Sequence, residues 1–150
     1  MIHLLDVNVL IALLDAEHIA HDDAHDWFDT VGKKGWATSA IVENGFLRIV
    51  GATGYGPAAV PMARLIDNLT QFTQAEGHKF WAEDFSLLTN PDIHRGKLTS
   101  AAQLTDTYLL ALAVSNGGKL ATLDRRLSTR AVEGGERALV QIPTRSVASD

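Results

Sequence analysis

Four carboxylates, widely separated along the chain, are the residues of this sequence best suited to carry out chemistry. Asp6 and Asp124 each follow a short apolar run of strand length. Glu43 and Asp106 lie in segments with helical periodicity, on the face that also carries apolar side chains. A carboxylate on an inward face is costly unless a cation or hydrogen bonds compensate its charge. We therefore expect these four side chains to converge and to bind a cation.

The type of donor decides which cation this would be. The chain has no cysteine, so thiolate zinc sites, iron–sulfur clusters and disulfide scaffolds are excluded. A set of carboxylate oxygens suits a hard cation such as Mg²⁺ or Mn²⁺. Such ions catalyse phosphodiester hydrolysis, in which two ions about 3.5–4 Å apart activate the attacking water and stabilise the leaving oxygen.

A purely structural interpretation exists for most of these acids. Asp6 and Asp124 could cap the helices that follow them, and Asp106 could favour a helix N-terminus. Glu43 fits this interpretation less well. With Ser39 as the capping residue, its capping-box partner would be Val42.

The elements that must position these acids alternate between strands and helices, which predicts right-handed crossovers and a mostly parallel sheet covered on both faces. The predicted strands are Ile2–Leu5, Trp36–Thr38, Lys79–Ala82, Leu120–Leu123 and Leu139–Ile142. The predicted helices are Val9–Leu14, His21–Val31, Ala40–Val50, Pro57–Phe72 and Thr105–Val114. Ligands bind at the carboxyl ends of the strands in such sheets, where the acids are expected.

Four ordered motifs resemble PIN-domain ribonucleases, particularly toxins of the VapC type. Each motif contains one of the acids, and together they span nearly the whole chain. The motifs are Leu4-Leu5-Asp6-Val7-Asn8-Val9-Leu10-Ile11-Ala12-Leu13, Glu43-Asn44-Gly45-Phe46-Leu47-Arg48-Ile49, Thr105-Asp106-Thr107-Tyr108-Leu109-Leu110-Ala111-Leu112-Ala113 and Leu120-Ala121-Thr122-Leu123-Asp124-Arg125-Arg126.

The resemblance implies a single PIN domain over residues 1–150, with a three-layer α/β/α fold around a mostly parallel sheet of about five strands. It implies an Mg²⁺- or Mn²⁺-dependent endoribonuclease that cuts transfer or ribosomal RNA, dimerises, and is neutralised by a VapB-type antitoxin encoded alongside. The family has an acidic quartet that binds metal and carries out catalysis, and the resemblance assigns these roles to Asp6, Glu43, Asp106 and Asp124. Asn8 and Thr122 match positions that orient ligands or waters. The Leu88–Gln103 region looks longer than in many relatives, so it bears on the choice of substrate.

The charge balance limits how RNA could be held. With 13 basic and 18 acidic residues the net charge is −5, which argues against a polybasic grip on nucleic acid. Local basic groups at His94–Lys97 and at Arg125, Arg126 and Arg130 could instead contact phosphates. Alternatively, Arg125 and Arg126 could solvate a surface helix or pair with Glu133 and Glu136. His94 as a general base is a weaker hypothesis, because a metal already activates water.

Two further questions concern compartment and metal type. The N-terminus shows no basic lead followed by an apolar stretch, and no apolar run is long enough to span a bilayer, so we expect a soluble, cytoplasmic protein without membrane contact. His21 and His25 have the i, i+4 spacing of zinc ligands, but no third ligand with a clear geometry follows. A solvated acidic helix is the favoured interpretation of that segment.

Competing functions differ in the residues they need. A phosphatase of the haloacid-dehalogenase kind needs a second Asp where this chain has Asn8, and a receiver domain needs a Lys where it has Gln141-Ile142-Pro143. Both are disfavoured. A catalytically silent PIN-like module that binds RNA or protein stays open as the alternative.

Overall fold

A computed structural model describes residues 1–57 and 59–145. Its strands are β1 (His3–Leu5), β2 (Trp36–Thr38), β3 (His78–Phe80), β4 (Lys119–Thr122) and β5 (Leu139–Gln141). Its α-helices are α1 (Val7–Leu14), α2 (His21–Thr30), α3 (Ala40–Val50), α4 (Met62–Thr73), α5 (Leu104–Ser115) and α6 (Gly135–Ala138). Three short 3₁₀ turns are Gly32–Lys34, Arg95–Lys97 and Ala101–Gln103.

The five strands form one parallel sheet in the order β3-β2-β1-β4-β5. The chain builds outward from β1 through β2 to β3 and then returns to place β4 on the other side of β1. In this topology the strand order reverses between β1 and β4, which is where open α/β sheets bind their ligands. Helices cover both faces of the sheet, so the predicted three-layer α/β/α fold is confirmed.

The core lies between the sheet and its helices. Trp36 of β2 is fully buried and packs against Phe28 of α2 and Phe72 of α4. Helix α3 packs closely on α1. A Cβ added at Gly45 would lie 2.7 Å from Cγ2 of Val7. The absence of a side chain at Gly45 therefore allows these two helices to approach.

Two predicted boundaries are wrong: the start of the fourth long helix and the limits of the fourth strand. The helix predicted from Pro57 begins at Met62, after Pro61 at the N-cap position. Proline disfavours the helical conformation of the preceding residue, so a helix cannot run through Val60. The predicted strand Leu120–Leu123 is Lys119–Thr122, which places Asp124 in the turn beyond β4.

Some predicted features fall outside or between the regular elements. Ala58, within the predicted fourth helix, and residues 146–150 of the predicted domain lie outside the described residues. The Leu88–Gln103 region contains two short 3₁₀ turns and is tied to the body of the domain by a bridge between Ile93 and Val132. No helix within residues 1–57 and 59–145 is long and apolar enough to cross a membrane.

Candidate active site

Asp6 lies at the end of β1 and is buried, with 6% of its surface exposed. Its Oδ1 accepts a hydrogen bond from the backbone N–H of Val7 at 2.7 Å, and its Oδ2 accepts one from the hydroxyl of Thr122 at 2.8 Å. Asp6 is thus the N-cap of α1, as the structural interpretation proposed, and is also held from β4. Burial raises the pKa of Asp6, the hydrogen bonds from Thr122 and Val7 oppose that rise, and the nearby charge of Asp124 adds to it.

Thr122 connects the ends of β1 and β4. Besides donating to Asp6, its Oγ1 accepts from Asn8 Nδ2 at 3.2 Å and from the backbone N–H of Asp124 at 3.1 Å. A hydroxyl has one proton and two lone pairs, so this one is fully used. Asn8 also accepts from the backbone N–H of Leu123 at 3.0 Å. The roles assigned by resemblance concerned ligands and waters; here Asn8 and Thr122 orient Asp6 and the segment that carries Asp124.

Asp124 is half-buried in the turn after β4. Its Oδ1 accepts from the backbone N–H of Arg126 at 2.8 Å, which closes a local turn of the kind that aspartate favours. Among the described residues no helix follows before Gly135, so Asp124 does not act as a helix cap. Its second oxygen is the one left for a ligand.

Asp106 is half-buried in the first turn of α5, close enough to two other aspartates to be affected by their charges. Burial, followed by the charges of Asp6 and Asp124, raises the pKa of Asp106 to about 6. The three aspartates come from different elements and share one electrostatic environment. Both ion pairs found in the described part of the chain lie elsewhere, so within these residues no Lys, Arg or His side chain forms an ion pair with the three aspartates.

The donor chemistry of this cluster fits a divalent cation. All of its side-chain donors are carboxylate oxygens, which suits Mg²⁺ or Mn²⁺, and a cation would offset both the burial and the repulsion that raise the pKa of Asp106. Ser39 adds to the fit. Continuing the β1–β2 register places it beside Asp6, and its buried Oγ has no hydrogen-bond partner. Within the residues that the structure describes, no three potential ligands are close enough to form a closed metal site.

Glu43 is hydrogen-bonded to the end of β2, the strand that pairs with β1. Its Oε2 accepts from the hydroxyl of Thr38 at 2.7 Å, and that same hydroxyl lies 2.7 Å from Nε2 of His78. Glu43 is not among the charges that raise the pKa of Asp6 or of Asp106. The structure therefore brings three members of the predicted quartet together and places the fourth beside a histidine.

The start of α3 depends on a residue that sequence analysis did not single out as functional. Ser39 is at the N-cap position but makes no capping hydrogen bond. Instead, both carboxylate oxygens of Glu83 lie 3.2 Å from the backbone nitrogen of Ile41, which donates to them. Thr38 could have been found from the sequence, because it ends β2 at the same sheet edge as Asp6. His78 and Glu83 could not, since their role depends on how β3 pairs with β2.

Comparison with known proteins identifies the family. The profile of the PIN domain matches residues 3–133. The chain belongs to the PIN-domain family. It is 42% identical over 134 residues to the ribonuclease VapC44 of Mycobacterium tuberculosis (strain ATCC 25618 / H37Rv), a match that covers 89% of this chain and 94% of that relative. It is 37% identical over 134 residues to the ribonuclease VapC39 of the same strain, covering 89% and 96%. The resemblance to PIN domains of the VapC type is confirmed.

In the part of this PIN domain that the structure describes, the basic side chains form no ion pairs with Asp6, Asp106 or Asp124. His94 Nε2 lies 2.9 Å from Glu133 Oε2, in a crevice of about 580 Å³ that Val114 also lines. Val114 is eight residues along α5 from Asp106, which corresponds to about 12 Å of helix. The guanidinium of Arg125 donates to the carbonyl of Ile142 instead of pairing with Glu133 or Glu136.

The paired histidines of α2 have a structural role in the PIN domain. His21 Nδ1 lies 2.7 Å from the carbonyl oxygen of Ala12, and His25 Nε2 lies 2.8 Å from that of Leu13. These carbonyls belong to the last turn of α1, where the carbonyl oxygens of a helix have no N–H donor within the helix. The two rings therefore cap the end of α1 and do not form a zinc site among the described residues.

Proposed function

We propose that this PIN domain is a metal-dependent endoribonuclease toxin that hydrolyses phosphodiester bonds in RNA. The observation that carries the proposal is the hydrogen-bonded link through Thr122 that holds Asp6 and the Asp124 segment at the ligand-binding edge of the sheet, where their charges also act on Asp106. The relatives at 36–42% identity are named ribonucleases, and they supply the reaction class.

In this proposal Asp6, Asp106 and Asp124 hold Mg²⁺ or Mn²⁺, and Glu43 completes the acidic set from α3. A bound divalent ion lowers the pKa of water and stabilises developing negative charge on phosphate oxygens. Thr122 and the N–H of Val7 hold both oxygens of Asp6 in place, so that this carboxylate needs little reorganisation when a ligand arrives. Asp106, with a pKa of about 6, must lose its proton when a cation binds, which couples affinity to pH.

The preferred substrates are transfer RNA or ribosomal RNA, as the family resemblance implies. The exposed side chains of Arg126 and Arg130, beside Asp124, supply local positive charge that an acidic chain otherwise lacks. Arg95 and Lys97, in the 3₁₀ turn of the long loop, offer a second group of cations. Phosphate contacts of this kind position RNA without reading its sequence.

The partners in the proposal are a VapB-type antitoxin, a second copy of the chain and the RNA substrate. Three aspartates without an ion-pair partner in the described structure form an anionic site, to which a basic side chain of an antitoxin would be complementary. We further propose that residues 1–150 form one domain and that it acts in the cytoplasm without contacting membranes.

Cleavage of total cellular RNA by the purified, antitoxin-free protein tests the proposal. The reaction is run with Mg²⁺, with Mn²⁺ and with EDTA, and the variant Asp106→Asn is run beside it. Discrete fragments that disappear with EDTA and with the variant are the expected result. Tight RNA or protein binding without cleavage under any metal would overturn the proposal in favour of a catalytically silent binding module.

A further inference from the structure

The direction of the hydrogen bonds around Thr38 follows from the chemistry of its two partners. The Thr38 hydroxyl lies 2.7 Å from Glu43 Oε2 and 2.7 Å from His78 Nε2. An ionised carboxylate can only accept, so the single hydroxyl proton goes to Glu43. His78 must then donate from Nε2 to the oxygen of Thr38. The three residues form a directed chain from His78 through Thr38 to Glu43.

Both upstream members of this chain are fixed by neighbouring strands. Thr38 ends β2 and is fully buried, with 0% of its surface exposed. His78 begins β3 opposite Trp36, and its ring centroid lies 4.6 Å from that of the Trp36 indole. Neither group can turn away without disturbing the sheet or the core. The chain therefore ends in a hydrogen bond of defined direction at Glu43.

Glu43 itself is held at its backbone as well as at its carboxylate. It lies in the first turn of α3, whose N-terminal amide at Ile41 donates to Glu83. With the helix start fixed and Oε2 engaged by Thr38, the remaining oxygen Oε1 is the one available to a ligand. The hydrogen bond from Thr38 already restrains the side chain, which limits the entropy it loses on binding.

We infer that His78 is a positioning residue of the nuclease, acting through Thr38 to orient Glu43 toward the cation and water of the active site. The inference rests on the proposed function, because it gives Glu43 a role in binding the metal ion. It assigns a purpose to β3, a short edge strand that contributes none of the four acids. A role in stability alone would make removal of His78 equally damaging whether or not Glu43 is present.

The test uses two isosteric or near-isosteric pairs of variants. Thr38→Val removes the hydroxyl and keeps the shape, whereas Thr38→Ser restores a hydroxyl. His78→Phe keeps a ring against Trp36 without a donor, whereas His78→Gln restores an N–H near the Nε2 position. Each change is also made in a Glu43→Gln background. His18→Phe and Thr30→Val are the matched controls, because both side chains make their hydrogen bonds to nearby backbone atoms and not to the four acids.

Two measurements are made on each folded variant: kcat and KM for cleavage of a mapped RNA, and Mn²⁺ affinity from the spin-resonance signal of free Mn²⁺. Thr38→Val loses the charge-assisted hydrogen bond to Glu43 and His78→Phe loses the donor that orients it, so each should lower kcat about tenfold with little change in KM. Mn²⁺ should bind several-fold more weakly, and Thr38→Ser and His78→Gln should recover most of both losses. In the Glu43→Gln background neither substitution should cost more than about twofold, since groups acting as a unit are non-additive.

The outcomes separate this inference from the proposed function. If the wild-type protein cuts RNA and binds Mn²⁺ while His78→Phe does both equally well, the role of His78 is overturned and the nuclease proposal stands. The same conclusion follows if His78→Phe is as damaging without Glu43 as with it. A wild-type protein that neither binds Mn²⁺ nor cuts RNA overturns both. Should Thr38→Val not fold, the His78→Phe and His78→Gln pair carries the test alone.

Discussion

Replacing Asp106 by Asn should stabilise the metal-free protein at neutral pH. The pKa of this carboxyl rises from an ordinary 3.8 to about 6 because the group is half-buried beside Asp6 and Asp124. A folded-state pKa above the unfolded value means that the folded state binds the proton more tightly. The stability associated with that proton is therefore present at low pH and is lost as the pH rises through about 4 to 6.

The size of the effect follows from the difference between the two pKa values. The difference is about 2, and each pKa unit corresponds to about 1.4 kcal/mol, so the upper limit is about 3 kcal/mol. Because the side chain is half-exposed, solvent screening reduces the expected gain to about 1–2 kcal/mol. The amide of Asn has a similar shape and carries no charge, so it removes the repulsion while keeping the packing.

Urea unfolding of the two proteins in EDTA, at pH 7.5 and at pH 4.5, measures this gain. The variant should be more stable at pH 7.5 and the difference should shrink at pH 4.5, where Asp106 of the folded wild type is mostly protonated. Asp67→Asn, at an exposed position on α4, is the matched control and should change little. Mg²⁺ should stabilise the wild type more than the variant. A variant that is less stable than the wild type at pH 7.5 would refute the idea that the aspartates repel one another.

The remaining predictions concern single side chains of the site and its supports. Asp6→Asn keeps an oxygen for the N–H of Val7, so it should abolish RNA cleavage while circular dichroism shows a retained fold; normal cleavage would exclude Asp6 as a metal ligand. Thr122→Val removes a buried hydroxyl with three hydrogen-bond partners, so urea unfolding should show a loss of about 1–3 kcal/mol; an unchanged midpoint would contradict the role of this hydroxyl in joining β1 to β4. His25→Ala uncaps the last turn of α1 and should cost about 1 kcal/mol in the same assay. His94→Gln should leave kcat unchanged, and a tenfold loss would restore the general-base hypothesis.

The sheet and two of the acids were predictable because they depend on local patterns. Short apolar runs alternating with helical segments predict a parallel sheet, and Asp6 and Asp124 follow the two strands that become neighbours at its centre. Asp106 was predictable for the same reason, since its position in the first turn of an apolar helix is visible in the sequence. The physical basis is that the hydrophobic periodicity of a helix and the end of a strand are each determined by a few consecutive residues.

The surroundings of Glu43 were not predictable in this way. Its inward face was visible from its apolar neighbours, but its hydrogen-bond partner Thr38 and the histidine beyond it depend on the pairing of β2 with β3. The cap of α3 shows the same limit. Ser39 is the local candidate, yet Glu83, which comes from 40 or more residues away along the chain, accepts the N–H of Ile41. Contacts between distant segments are decided by tertiary packing, which one sequence does not display.

The order of the strands sets the moment at which this protein can acquire an active site during its synthesis. The partner of β1 on one side is β2, but its partner on the other side is β4, which ends at Thr122. Until that residue has left the ribosome, Asp6 lacks its hydrogen bond from Thr122, and Asp124, two residues further along the chain, is still inside the ribosome. An incomplete chain therefore has a sheet with an open edge at β1 and no assembled cluster of aspartates. If the protein is the nuclease proposed above, a chain built in this order stays inactive throughout most of its own translation.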